Sequence, residues 1–190
     1  MNISLNEESM QATENTYRIE KMSRRLRRLF QVCTFILPLV PAFFWLGYNH
    51  MPQIMHDNVF PATAPSWLPI NSRLIALAGG IPAIIILIAA LIGLKRLFSL
   101  YEQGIYFQAE NVALFRLLAR LAFLSVVADI INKTVLEIAR TINNPPGQRI
   151  LSIGISSDHL KLMIVAAIIM IIGMVIDEGR KIQDEIALTV

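Results

Sequence analysis

Apolar residues gather in four runs along the chain, at about Phe30–Tyr48, Leu74–Leu94, Ala113–Ile131 and Leu160–Ile176, with polar residues between them. A bilayer core about 30 Å thick takes about 20 residues of helix at about 1.5 Å per residue, so each run predicts one crossing. The pattern reads as an all-α membrane protein. It predicts a four-transmembrane-helix bundle, with a short interfacial N-terminal helix before it and a cytoplasmic C-terminal helix after it. Residues 1–29 are the polar and basic N-terminal segment, and residues 30–190 the membrane domain.

The runs differ in detail. Residues 1–15 are polar and are expected to be mobile. From Tyr17 the pattern turns helical, with Tyr17, Ile19, Met22, Leu26, Leu29 and Phe30 set among Arg18, Lys21, Arg24, Arg25, Arg27 and Arg28. That basic helix reads either as a lipid- or partner-binding element or as a plain topology signal. The first run follows nearly thirty polar residues and lacks a cleavage pattern, so it reads as a retained anchor. Pro38 and Pro41 predict a kink in it, and Pro82 another in the second run. Ala76, Gly79, Gly80 and Ala83 have the spacing that lets two helices approach closely. The fourth run is the most uniform, with Met163, Met170 and Met174 on one face.

The third run carries Arg116, Arg120 and Asp129. Arg120 to Asp129 is about 13.5 Å of helix, too short to cross a bilayer without a charge at depth or a side chain reaching to the interface. These three residues are the candidate intramembrane polar site. The helical pattern continues to about Thr141, and Asp129, Lys133, Glu137 and Arg140 alternate in sign along one face, where neighbours can pair. Between the second and third runs the helix stops near Gly104, a residue suited to a helix C-terminus, and resumes with Gln108 or Asn111 as a cap. The last residues place Ile182 and Ile186 on one face, and the apolar Ala187–Val190 end suits docking better than solvation.

Composition supports the membrane reading. Apolar residues are 55% of the chain and charged ones 16%, against about 45–50% and about 25% in soluble domains. Ten Lys and Arg flank the first, second and fourth runs on one side: six within Arg18–Arg28, then Lys95, Arg96, Arg180 and Lys181. Arg73, Lys133, Arg140, Arg149 and Lys161 fall on the other. The excess of positive charge predicts both termini inside, in the cytoplasm. The net charge of +3 stems mainly from the cluster before the first run, so no direct nucleic-acid contact is read from it. The lone Cys33 forms neither a disulfide nor a zinc cluster within the chain. His50, His56, Asp57 and His159 lack metal-ligand spacing and read as loop residues. Asn132-Lys133-Thr134 matches a glycosylation triplet by chance. No enzyme activity and no cofactor are expected.

Two segments carry a family resemblance. Gly104-x-Tyr106-Phe107-x-x-Glu110-Asn111-Val112-x-x-x-Arg116 and Gly179-x-x-Ile182-x-x-Glu185-x-Ala187-Leu188-Thr189-Val190 resemble two motifs of a family of bacterial four-helix membrane proteins, catalogued as domain of unknown function 2975. The resemblance covers roughly Leu74 to Val190. The chain departs from the motifs at Phe115 and Ala187, which stand where an aliphatic and an acidic residue are usual. The resemblance implies the bacterial cytoplasmic (inner) membrane as location and a membrane partner of a small helix-turn-helix regulator. The expected partner face is then Gly104, Tyr106, Phe107, Glu110, Asn111, Arg116, Gly179, Ile182, Glu185 and Leu188. The function expected is non-enzymatic and regulatory, holding or signalling to a small cytoplasmic DNA-binding protein. The alternative is a small transporter, channel or ligand sensor built on the third run, which a homo-oligomer would make easier in so thin a bundle.

Overall fold

The computed structural model describes residues 2–52, 54, 65–149 and 151–189. All their secondary structure is helical: α1 Asn2–Ile36, α2 Leu39–Gly47, a single 3-10 turn at Tyr48–His50, α3 Ile70–Glu102, α4 Ala109–Thr141 and α5 Ser157–Thr189. Among the described residues, three stretches are long and apolar enough to cross a membrane: Thr16–His50, α3, and Ser157–Ile186 of α5. The fourth apolar run lies in α4, which is as long as α3 but holds Arg116, Arg120 and Asp129 within its apolar stretch.

The first helix departs from expectation. A helix starting near Tyr17 and leading into the first run was expected, and α1 already runs unbroken from Asn2. The physical reason lies in the sequence: no Gly or Pro occurs before Pro38. Proline then ends the helix, because it lacks the N–H that the preceding turn needs and disfavours helical geometry in the residue before it. Just upstream, Thr34 Oγ1 donates to the Phe30 carbonyl at 2.7 Å, a back-bond that bends helices. The C-terminal segment is helical as expected, and α5 continues into it through Gly179 without a break.

The link between α3 and α4 follows its residues closely. Gly104 adopts φ +73°, which a side chain resists. Its N–H bonds the Tyr101 carbonyl at 3.2 Å, and the Ile105 N–H bonds that of Leu100 at 3.0 Å. This pair of bonds satisfies two carbonyls that the end of α3 leaves free, and Ile105 packs back on the core that holds Leu100.

The helices form two compact units. The first comprises the chain up to Thr34, Ala89–Ala122 and the segment from Ile164 onward. Its core is Leu97, Leu100, Leu114 and Leu118, with Ala90, Leu94, Phe115 and Ile169 against them. Glycine admits close packing here: a methyl group at Gly173 would lie 3.0 Å from Phe115.

The second unit comprises Phe35–Ile88 and Phe123–Met163. Buried Tyr48 and Leu68 pack with Phe44 and Trp45. Tyr48 donates its hydroxyl to the Pro65 carbonyl at 2.5 Å. Asn49 makes two bonds of 2.9 Å to the backbone of Leu68, one in each direction. Arg73 donates to the Leu46 carbonyl at 2.8 Å, closing the C-terminal end of α2. The small-residue stripe has the packing role expected of it. Ala76 is buried, and a methyl group at Gly79 would lie 2.5 Å from Val135 of α4.

Candidate partner-docking face

In the first unit, the two motif segments meet. Phe107 lies over Gly179, where a methyl group would come within 3.3 Å of its ring. That ring is half exposed. Beside it runs an open groove of about 400 Å³, lined by Gly104, Ile105, Tyr106, Phe107 and Gln108 from one segment and Gln183 and Asp184 from the other. Glycine at 179 lets the aromatic settle closely on the helix, since even a methyl group there would make Phe107 shift slightly. Ile182 and Glu185 are exposed on the same helix. The Leu188 side chain lies outside the described residues.

Charge pairs hold this face together. Arg116 reaches Asp177 of α5 at 3.1 Å, and Arg180 bonds Asp177 and Asp184 at 3.2 and 3.0 Å. Glu110, in the first turn of α4, accepts a bond from Arg96, and its negative charge also suits the helix N-terminus. Glu102, at the end of α3, receives Arg24 on one carboxylate oxygen at 2.9 Å and Arg27 on the other at 2.8 Å. Exposed pairs of this kind contribute modestly to stability, so their main effect is to fix orientation.

Asn111 is fully buried, and its Nδ2 donates to the Ile105 carbonyl at 3.1 Å. It therefore clamps the turn that Gly104 makes, rather than capping α4 from its first position. Its Oδ1 and the Tyr106 hydroxyl are buried without a hydrogen-bond partner among the described residues. Tyr101 and Tyr106 lie 5.6 Å apart by ring centroid.

The expected polar site of Arg116, Arg120 and Asp129 resolves into separate surroundings. Arg116 belongs to the face just described. Arg120 is exposed and makes no ion pair among the described residues. Asp129, in the second unit, contacts Lys133 at 2.8 Å and His159 at 2.7 Å. Glu137 pairs with Arg140 at 3.0 Å. The alternating stripe thus pairs along its helix as its spacing implied.

Sequence reasoning missed three residues. Asp177 and Glu102 gave no signal that α5 and α3 would supply the partners of the arginines. His159, read as a loop residue, is 2% exposed. Its Nδ1 accepts the Ser156 N–H at 3.0 Å while Nε2 faces Asp129. With Nδ1 accepting, the neutral ring carries its proton on Nε2 and donates to the carboxylate. His159 stands third in α5, where a Glu or Gln closes a capping box, and it performs that task with a ring nitrogen. That position was the available signal. Next to it lies a second groove of about 400 Å³, lined by Lys133, Leu136, Glu137, Arg140, Ser152, Gly154, Ile155 and Ser156. His50 is exposed, whereas His56 and Asp57 lie outside the described residues. Among the described residues, no three His, Cys, Asp or Glu are placed to share a metal ion.

A family model described as "Protein of unknown function (DUF2975)" matches residues 39–190, most of the chain. The chain belongs to that family. No curated protein and no solved structure matches it.

Proposed function

We propose that this member of the DUF2975 family is a four-crossing integral membrane protein whose face around Phe107 and Gly179 docks a cytoplasmic protein and thereby regulates it. The observation that carries the reading is the meeting of the two motif segments in one groove. Residues separated by some seventy positions converge on a surface that combines a half-exposed aromatic, exposed aliphatics and paired charges. Interfaces favour such a mixture, an aromatic anchor within a polar rim. The resemblance implies a small helix-turn-helix regulator as the occupant. The bundle would hold that regulator in one packing and release it in another.

Four crossings require α4 to lie in the bilayer with its charges. The pairing of Asp129 with Lys133 and His159 supports this by offsetting the cost of burial. The uneven distribution of Lys and Arg supports cytoplasmic termini, and the resemblance implies a bacterial inner membrane. The transporter or ligand-sensor alternative keeps one specific observation in its favour, the groove beside Asp129 and His159 that Lys133, Glu137 and Arg140 help to line.

The test is site-specific photocrosslinking of the full chain in its native membrane. A photoreactive residue at Gln108 or Gln183, inside the groove, is expected to capture one discrete cytoplasmic protein, while the same residue at Ile155 does not. No adduct at the groove, or the same adducts at all three positions, would sink the docking reading. Capture at Gln183 of a protein that does not bind DNA would retain docking and remove the helix-turn-helix partner.

A further inference from the structure

The basic residues of α1 divide between two faces. Ser23, Arg27 and Phe30 are spaced i, i+4 and i+7, which places them on one side of the helix. Ser23 is buried, Arg27 reaches Glu102, and the Phe30 ring lies 5.6 Å from that of Phe98. This side is the docked one. Lys21, Arg25, Arg28 and Val32 are spaced i, i+4, i+7 and i+11, and so form a second stripe on the opposite side. All four are exposed. Lys21 sits 5.8 Å from the Tyr17 ring, while Arg25 and Arg28 make no ion pair among the described residues. The three cations cover about 10 Å of helix, and the apolar Val32 follows one turn later, flanked by exposed Leu29.

We propose that Lys21, Arg25 and Arg28 form a binding stripe for the phosphates of anionic phospholipid headgroups. Two features select a lipid over a soluble anion. The cations stand in a line, as bilayer phosphates do along a surface, rather than converging on one point. The stripe also passes directly into exposed apolar residues, the order in which a headgroup gives way to acyl chains. A topology signal needs only the charge, whereas this arrangement separates the arginines that pair with Glu102 from those left for phosphate. The proposal rests on the membrane reading above but not on protein docking.

The experiment uses the purified full chain, reconstituted in phosphatidylcholine bilayers doped with spin-labelled phosphatidylglycerol or spin-labelled phosphatidylcholine. Electron paramagnetic resonance gives the relative association of the two lipids with the protein. Each cation near an anionic surface changes association by roughly fivefold. The wild type is expected to select phosphatidylglycerol, and Lys21→Gln, Arg25→Gln and Arg28→Gln are expected to remove that selection stepwise. The triple variant Arg149→Gln/Lys161→Gln/Lys181→Gln, with the same loss of charge elsewhere, should retain it. Absence of selection in the wild type would overturn the proposal, as would equal loss in both triple variants, which would reduce it to net charge. Loss of selection in inorganic phosphate but not in chloride of matched ionic strength would overturn it in favour of a small-anion site. Failure of the wild type to insert in the bilayer at all would instead refute the membrane reading.

Discussion

Replacing His159 with alanine probes the best-defined polar contact in the second unit. The substitution removes three things at once. Asp129 loses a bond of 2.7 Å, the Ser156 N–H loses its acceptor at 3.0 Å, and a ring 2% exposed leaves a void. A hydrogen bond to a charged group is worth about 1.5–3 kcal/mol. The lower end applies here, because the Asp129 side chain is 38% exposed and keeps Lys133 at 2.8 Å. The cap contributes about 1 kcal/mol, and the lost packing about as much again, judged from about 0.8 kcal/mol per buried methylene-sized group. The sum, about 3 kcal/mol, corresponds to a fall of roughly 6–12 °C in midpoint for a chain of this length.

The assay is thermal unfolding of the purified protein in a mild detergent, with His159→Gln and Asp129→Ala as companions. Glutamine suits the third position of a helix as a cap but does not reach the carboxylate as the ring does, so His159→Gln should recover about 1 kcal/mol relative to alanine. In the Asp129→Ala background, His159→Ala should cost about 1.5 kcal/mol less than in the wild type, the difference being the coupling between the two. A midpoint within about 1 °C of wild type for His159→Ala would refute the assignment of His159 to the core. Glutamine no better than alanine would refute the capping role alone.

The remaining expectations concern helix contacts. Gly79→Ala should destabilise by about 1–3 kcal/mol through overlap with Val135, and Val135→Ala in the same chain should return only part of that loss, because the Val135 Cβ itself would lie 2.7 Å from the added methyl group; unchanged melting of Gly79→Ala would contradict the close approach. Gly104→Ala, at φ +73°, should cost about 1 kcal/mol, with Gly104→Asn milder in the same melting assay, and equal stability of both to wild type would count against the left-handed turn. Arg116→Leu should lower stability by no more than about 1 kcal/mol, because its partner pair is solvent-exposed on the arginine side. A cysteine pair at 116 and 177 should be joined in the membrane by a bifunctional thiol reagent about as long as the Arg and Asp side chains it replaces, and failure to do so would separate the two helices.

How legible was this in the sequence? Helix positions followed from apolar runs, and the small-residue stripe at Ala76–Ala83 marked a real close approach, because both depend on features that repeat along one element. The alternating charges from Asp129 to Arg140 were legible for the same reason: i, i+3 and i+4 neighbours are set by the helix itself. What stayed hidden was every partner drawn from another element. Nothing local tells Arg116 that Asp177, sixty-one positions on, completes its pair, or tells Asp129 that a histidine thirty positions on will cap α5 and face it. The early start of α1 was hidden for a different reason. Polar residues do not stop a helix, which ends where the backbone is obstructed, and the first such obstruction is Pro38. The candidate face shows both sides of this. Its residues were found through two local motifs, but what glycine at 179 permits appears only once Phe107, from the other motif, is seen lying against it. A motif residue that looks like a helix defect is here the seat of an aromatic ring.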